Sequence, residues 1–305
     1  MSRGLGDVYK RQAVVECKNF TKASEKINLS QPSVSIHIKN LEKFFGVELI
    51  IRSVKQKNII ITESGQLLYR RAKEMINLLE MTREEVVNLS SSVKGHLKIG
   101  ATYTIGEYIL PNFLQMFCEQ YPEVEIEVVI GNTEEISRKV QGLQIDIGLI
   151  EGMGHMEEFR QTYFLKDELV LILPKTHELT QKDLSNDALQ EQKWVTREIG
   201  SGLREYLDVF LTHHQIVPRS KLVFGSNYAI KEAVKNGLGI AMVSWYVAKD
   251  AVLRDEVKML TLEETYYRNF SYILPKDLVT MKVIEVLAQT LESFYQSSSG
   301  DCLPL

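Results

Sequence analysis

A chain of 305 residues exceeds one ordinary compact domain and suits two or three. Its 44% hydrophobic and 25% charged residues are ordinary for a soluble protein, no apolar run approaches the ~18–20 residues that span a bilayer, and the N-terminus lacks a signal-type apolar core; membrane-spanning and exported classes are set aside and a cytoplasmic protein is expected. Cys17, Cys118 and Cys302 are odd in number, far apart and outside any CxxC pair, which argues against a disulfide framework or a zinc site, and no metal or cofactor is expected.

The net charge of −4 conceals an uneven distribution. Between Gln12 and Thr62 stand Lys18, Lys22, Lys26, Lys39, Lys43, Arg52, Lys55 and Lys57 against Glu16, Glu25, Glu42 and Glu48. A basic module before an acidic remainder points to a polyanionic partner, although solvated faces show such differences too. Residues 1–11 carry two glycines and no helical apolar stripe, and residues 297–305 show no packing pattern; both ends are expected to be disordered or foreign to the native chain.

A short helix is expected from about Thr21 to Ile27, with Phe20, Ala23 and Ile27 on one face. Asn28-Leu29-Ser30 breaks it, Ser30 is a good N-cap, and Pro32 is tolerated in the first turn of a second helix. That helix aligns Val34, Ile38, Leu41 and Phe45 on one buried stripe and leaves Ser33, Ile36, His37 and Asn40 outward, with Lys39 beside them. This is the layout of a helix-turn-helix, whose second helix enters the major groove with its N-terminal residues near base edges; a plain helical hairpin shows the same pattern. Two β-branched strands then flank the basic tip Val54–Asn58, a wing whose Arg52, Lys55 and Lys57 are placed to meet phosphate.

The run from Asn19 to Gly65 resembles the DNA-binding domain of the LysR-type regulators. The resemblance rests on Asn19-Phe20, Ala23-Ser24, Ile27-Asn28-Leu29-Ser30-Gln31-Pro32-Ser33-Val34-Ser35, Ile38-Lys39-Asn40-Leu41-Glu42, Gly46-Val47-Glu48-Leu49-Ile50-Ile51-Arg52 and Ile61-Thr62-Glu63-Ser64-Gly65. Ile36 stands where the family often has Arg, and Arg11 where it has a large apolar residue. The resemblance implies a winged helix-turn-helix over residues 12–62, with Ser30, Gln31, Pro32, Ser33, Ser35, Ile36, His37, Lys39, Asn40, Arg52, Lys55 and Lys57 facing double-stranded DNA and RNA polymerase as a further candidate partner.

From Glu63 to about Ser92 no proline interrupts the chain, and Leu68, Ala72, Met75, Leu79, Thr82, Val86, Leu89 and Val93 recur at spacings of 4 and 3. This heptad seam, spoiled only by Thr82, runs along a helix of roughly 40 Å. It faces either a second copy of the chain or the protein's own domain. The family resemblance implies the first: residues 63–93 as a dimerising linker, and a homodimer or homotetramer.

Beyond it strands alternate with helices. Strands are expected at His96–Gly100, Val124–Ile130, Ile145–Ile150, Glu168–Leu173, Lys193–Thr196, Lys221–Phe224, Gly239–Ser244 and Tyr267–Leu274, and helices at Gly106–Tyr121, Thr133–Gly142, Gly202–His213, Tyr228–Asn236 and Val279–Tyr295. Gly237-Leu238 reads as a helix stop. The alternation predicts α/β lobes with mostly parallel sheets. Residues 94–296 resemble the periplasmic-binding-protein-like effector domain of the same family. By that resemblance lobe I comprises about 94–163 and 267–296 and lobe II about 164–266, with crossings near Thr162–Lys166 and Tyr266–Ser271. A small-molecule effector then sits between the lobes.

Sites in open α/β sheets lie past the carboxyl ends of strands, where helix N-termini present free N–H groups. Three turns fit: Thr102-Tyr103-Thr104; Arg197-Glu198 with Gly200, Ser201, Gly202 and Arg204; and Gly225-Ser226-Asn227. Plain helix capping explains each hydroxyl equally well. The glycines of the second turn would let backbone N–H groups approach an anion. That run, with Gly148-Leu149-Ile150-Glu151-Gly152, resembles the branch that regulates sulfur assimilation and responds to anions, although Leu203 stands where that branch often has Thr. A small oxyanion or short carboxylate is the expected effector.

No nucleotide loop, nucleophile elbow or HExxH run appears, so an enzyme is not expected. The adjacent His213 and His214 point in different directions on their helix and make a poor metal pair. A solute-binding protein without DNA function accounts for the lobes but leaves the basic module and the heptad helix unexplained.

Overall fold

In the computed structural model, which describes residues 13–15, 17, 19–52, 59–87, 93–152, 157–181, 186–190, 192–260, 262, 264–276 and 280–297, the chain divides into two units, Met1–Ser90 and Ser91–Leu305. Among the described residues no helix is long and apolar enough to cross a membrane. The predicted wing tip with Lys55 and Lys57, and residues 1–11 and 298–305, lie outside the described residues. Ser297, expected to belong to the unstructured end, instead closes the last helix.

In the first unit, helix α1 (Phe20–Lys26) starts where Asn19 Oδ1 accepts the backbone N–H groups of Thr21 and Lys22 at 2.9 and 3.1 Å. Asn28 turns the chain at φ 52°, a left-handed conformation that asparagine tolerates. Helix α2 (Gln31–Phe45) then begins under the Ser30 cap, with Pro32 in its first turn, and ends at Gly46, φ 68°. Val34 and Ile38 pack with Ala23, Leu49, Ile50 and Ile59. Strands β1 (Ile50–Arg52) and β2 (Ile59–Ile61) pair antiparallel as the wing. Glu42 ties helix to wing: its Oε1 accepts the N–H groups of Leu49 and Ile50 at 3.0 and 3.2 Å. Thr62 caps the long helix α3 (Glu63–Val87) by accepting from Gly65 N–H at 3.0 Å. A Cβ at Gly65 would lie 2.3 Å from the Leu49 carbonyl oxygen, so only glycine lets α3 leave the wing this closely.

The second unit runs β3 (Gly95–Thr102), a π-helical turn (Ile105–Ile109), α4 (Leu110–Gln120), β4 (Val124–Gly131), α5 (Thr133–Gln141), β5 (Ile147–Glu151) and β6 (Phe159–Pro174). It continues with α6 (Asn186–Leu189), β7 (Lys193–Arg197), α7 (Gly202–His213), β8 (Ser220–Phe224), α8 (Asn227–Lys235), β9 (Ala241–Ser244), α9 (Trp245–Leu253), β10 (Val257–Leu260), β11 (Tyr266–Pro275) and α10 (Lys282–Ser297). Two buried cores define two lobes. Leu97, Ile99, Phe113, Phe117 and Leu287 centre one; Trp194, Phe210, Ile230 and Val243 centre the other. Gly237, φ 77°, and Leu238 stop α8 as expected: their N–H groups donate to the carbonyls of Val234 and Ala233.

The sheet is mixed rather than mostly parallel. Strands β4, β3 and β5 run parallel, but β11 pairs antiparallel with both β5 and β6, and β9 and β10 pair antiparallel with β6; β7 and β8 form a separate parallel pair. The reason is the crossing itself. Strand β6, 16 residues long, runs out of the first lobe into the second, and β11 returns along it from Tyr266 to Pro275, so outward and homeward strands oppose each other. Their register shifts between Phe270 and Ser271.

Candidate functional site

Helix α2 presents the residues expected to read DNA. Gln31, Pro32, Ile36, Lys39 and Asn40 are exposed, and Ser33, Ser35 and His37 are half-buried. Ser30 Oγ accepts from Ser33 N–H at 3.3 Å and lies 2.8 Å from Ser33 Oγ, so these two hydroxyls fix the helix start. Arg52 closes β1 at the base of the wing. Phe45, expected on the buried stripe, is 47% exposed and lies outside the core that Val34, Ile38 and Leu41 join. It lines an apolar groove of about 450 Å³ together with Leu41, Phe44, Leu68, Ala72 and Met75. On α3, Leu67, Met75, Leu78 and Leu79 are each about half exposed, and Phe44 beside the groove is 80% exposed.

In the second unit the three predicted turns converge between the lobes. Thr102 at the end of β3 and Thr104 just past it are buried, as are Arg197 at the end of β7, Ser201 and Gly202 at the start of α7, and Asn227 at the start of α8. Asn227 joins the lobes: its Nδ2 donates to Thr104 Oγ1 at 2.9 Å and its Oδ1 accepts from Arg197 Nη1 at 3.0 Å. The Tyr103 ring lies under the Arg197 guanidinium at 4.4 Å. Arg197 grips Glu198 bidentately, Nε to Oε2 and Nη2 to Oε1, both at 2.8 Å. Asn132, from the other lobe, donates to Glu198 Oε1 at 3.2 Å. Burial opposes ionisation of Glu198, but these hydrogen bonds and the Arg197 charge hold its carboxyl below the usual carboxylate range.

Two expectations change at α7. The glycines there serve lobe contact rather than an open anion cradle. Gly202 N–H donates to Thr133 Oγ1 at 3.3 Å, a Cβ at Gly202 would lie 2.3 Å from the Glu151 carbonyl oxygen, and the Gly200 carbonyl accepts from Glu134 N–H at 3.2 Å. Arg204 turns away from the cleft. Its Nε binds Asp208 Oδ2 at 2.7 Å and its Nη1 donates to the Arg197 carbonyl at 3.1 Å, so it is engaged on its own helix, by a carboxylate that it shares with Lys221. Of the histidines, His213 faces solvent while His214 is half-buried and bonds the Tyr266 hydroxyl.

Sequence reasoning missed the centre of the site, Arg268 on β11. Its guanidinium is fully buried, with Nε 2.6 Å from Asp167 Oδ2 on β6, and Nη2 3.0 Å from Glu151 Oε2 on β5 and 3.2 Å from Thr104 Oγ1, just past β3 at the start of the π-helical turn. Ser244 donates to Asp167 Oδ1 at 2.7 Å. Burial pushes the Asp167 carboxyl up to about 6 despite Arg268 and Ser244, and the facing Glu151 carboxylate adds to the rise. Three buried polar atoms around Arg268 lack a hydrogen-bond partner: Arg268 Nη1, Thr102 Oγ1 and Glu151 Oε2, the last facing Arg268 only as an ion pair. The available signal was the one charge of the largely apolar β11, Arg268, since unpaired charges are almost never buried, whereas Asp167 stands between Lys166 and Glu168 in β6 and gave no such mark.

Comparison with known proteins bears on both units. Residues 11–66 match the family described as "Bacterial regulatory helix-turn-helix protein, lysR family", and residues 90–295 match "LysR substrate binding domain". The chain is similar to the HTH-type transcriptional regulator CysL of Bacillus subtilis (strain 168), 45% identical over 287 residues, 93% of this chain and 95% of that protein. It is similar to the HTH-type transcriptional activator CmpR of Synechocystis sp., 30% identical over 279 residues, 91% and 90% of the two chains. Among solved structures it shares the fold of full-length OxyR from Pseudomonas aeruginosa, with a TM-score of 0.75 over 94% of each chain at 19% identity. The regulatory domain of CcmR from Synechocystis, solved in complex with 2-PG, aligns at a TM-score of 0.62 and 25% identity over 67% of this chain and 98% of that one.

Proposed function

The chain belongs to the LysR family, DNA-binding transcription regulators with a domain for a small-molecule effector, and from that premise we propose that its effector is a small anion bound between the lobes. The observation that carries this reading is that the unpartnered buried atoms of this cluster include two donors, Arg268 Nη1 and Thr102 Oγ1, beside the Thr104–Asn227 bridge. Thr102 lies at the carboxyl end of β3, where α/β sheets hold ligands, Arg268 lies near the start of β11, and buried polar atoms without partners are costly. A ligand oxygen meeting both lobes favours the closed arrangement by its differential affinity for it. Closure then acts on promoter DNA through the short connection from Val87 to Gly95.

A solute-binding protein without DNA function is not favoured, since residues 11–66 match a DNA-binding family. In this reading α2 supplies base contacts through Ser33, Ile36, His37 and Asn40, and Lys39 and the wing supply phosphate contacts. The chain works as a homodimer in which the α3 seam of a second copy covers Met75, Leu79 and the groove beside Phe44.

The test is a gel shift of the full chain on its promoter DNA, combined with thermal unfolding in sulfate, phosphate or acetate. Thr104→Val keeps size but deletes the hydroxyl shared by Asn227 and Arg268. It is expected to abolish the wild-type thermal shift and footprint change while ligand-free DNA binding persists. A full anion response in Thr104→Val would move the effector out of this cleft.

A further inference from the structure

Arg197 is a prepared anion receptor. Its side chain is 1% exposed, and beside Glu198 it is held by a hydrogen bond and a ring contact. Nη1 is fixed by Asn227, the guanidinium face rests on Tyr103, and the backbone carbonyl is held by Arg204. What remains is one edge of the guanidinium, Nε and Nη2, which matches two oxygens of one anion. Glu198 fills that edge from the next position in the chain.

The two partners differ in freedom. Glu198 is 30% exposed; it stands just past the end of β7, followed by Ile199, which is 84% exposed, and by Gly200 at φ 87°. Its carboxylate therefore has a route to solvent that the guanidinium lacks. It also does what an effector would do. Through Asn132 it reaches the other lobe, and a continuous chain of hydrogen bonds runs from Asn132 to Glu198, Arg197, Asn227 and Thr104, beginning and ending in the first lobe.

A buried guanidinium with no anion would be strongly disfavoured, so a fold that keeps Arg197 for a ligand needs a substitute when no ligand is present. We propose, building on the effector reading above, that Glu198 is that substitute: a carboxylate of the chain itself that occupies the anion position on Arg197 and must be displaced by the effector. Glu198 is thereby a specificity-determining residue. It selects oxyanions that present two oxygens to a guanidinium edge, because a neutral ligand, or one offering a single acceptor, cannot repay the loss of a bidentate charged pair. It also sets the concentration at which the site responds, since every ligand competes with a tethered carboxylate. Glu107, another carboxylate that feels the Arg197 charge, also feels Lys231.

The experiment is calorimetric titration of the full chain with sulfate and, separately, acetate at ionic strength held constant with chloride. The two probes distinguish a tetrahedral from a planar oxyanion. Glu198→Gln keeps the size of the side chain and removes the competing charge. It is expected to bind at least one probe about tenfold more tightly than wild type, and adding Arg197→Gln is expected to erase that gain. Asn132→Ala leaves Arg197 and Glu198 in place and removes the bond from the other lobe to Glu198 Oε1, which Arg197 Nη2 still holds; it also removes the α5 N-cap, so its folding is checked first. It is expected to tighten binding by a smaller factor, about two- to fivefold. Ligand-free thermal unfolding checks that each variant is folded; should Glu198→Gln be unfolded, the Asn132→Ala titration decides. A folded Glu198→Gln that binds neither probe more tightly than wild type overturns the proposal. The effector reading would still stand in that case if Thr104→Val abolished a wild-type anion response, so the two failures are distinguishable.

Discussion

Replacing Arg268 by Met tests whether the buried charge cluster at the lobe crossing holds the second unit together. Methionine keeps most of the unbranched stem and deletes the guanidinium that faces Asp167, Glu151 and Thr104. Two buried carboxylates are then left facing each other with no cation between them. Removing one partner from a buried pair costs about 3–5 kcal/mol. In a domain of this size each kcal/mol moves the melting temperature by roughly 2–4 °C, so a fall of roughly 6–20 °C is expected. The assay is tryptophan fluorescence on heating. Both tryptophans, Trp194 and Trp245, lie in the second unit, so the signal reports that unit even in the full chain. Adding Asp167→Asn removes one of the stranded charges and is expected to restore at least half of the loss. If Arg268→Met melts within about 2 °C of wild type, the cluster is not a structural lock and the reasoning from desolvation fails.

Asp167 itself predicts a pH effect. Its native carboxyl titrates near 6, above its unfolded value of 3.8, so the native state holds the proton more tightly. The resulting stability is fully present below pH 3.8 and is lost as pH rises through about 6; Asp167→Asn should flatten the melting profile across that window. A wild-type slope retained by the variant would assign the titration to another group. On α3, Leu79→Asp places a charge in the exposed apolar seam. It is expected to shift the full chain from dimer to monomer by sedimentation and to weaken promoter binding, and an unchanged sedimentation coefficient would remove α3 from the interface.

The local signals read well from sequence. Ser30 with Pro32 begins α2, Val34 and Ile38 face its core, and Gly237-Leu238 stops α8, because each depends on residues within a few positions of one another. Phe45 was misjudged because helical periodicity shows which residues share a face, but not where along that face the core ends. Strand β6 was read only from Glu168 to Leu173, while it starts at Phe159. Its first half carries Arg160, Gln161 and Thr162, whose polarity conceals a strand defined by pairing with β11. Helix α9 was missed because it starts directly on β9, with Ser244 as both last strand residue and N-cap. The cleft was half legible. Thr102, Thr104, Arg197 and Asn227 lie at turns with hydroxyls, glycine or charge, whereas Arg268 meets Asp167 across 101 positions and only the antiparallel register brings them together.

The ribbon of β6 and β11 also limits the ways in which the lobes can move. Two hydrogen-bonded strands resist stretching and in-plane bending, since both distort the ladder, but they yield to torsion about their common long axis. The register shift at Phe270 and Ser271 locally interrupts that ladder. Rotation of one lobe against the other is then a motion with a single soft coordinate, whose direction the backbone supplies. A molecule with only a few atoms is too small to steer two lobes, each with its own core, by its own contacts. On such a pivot it has only to tip a balance whose path already exists.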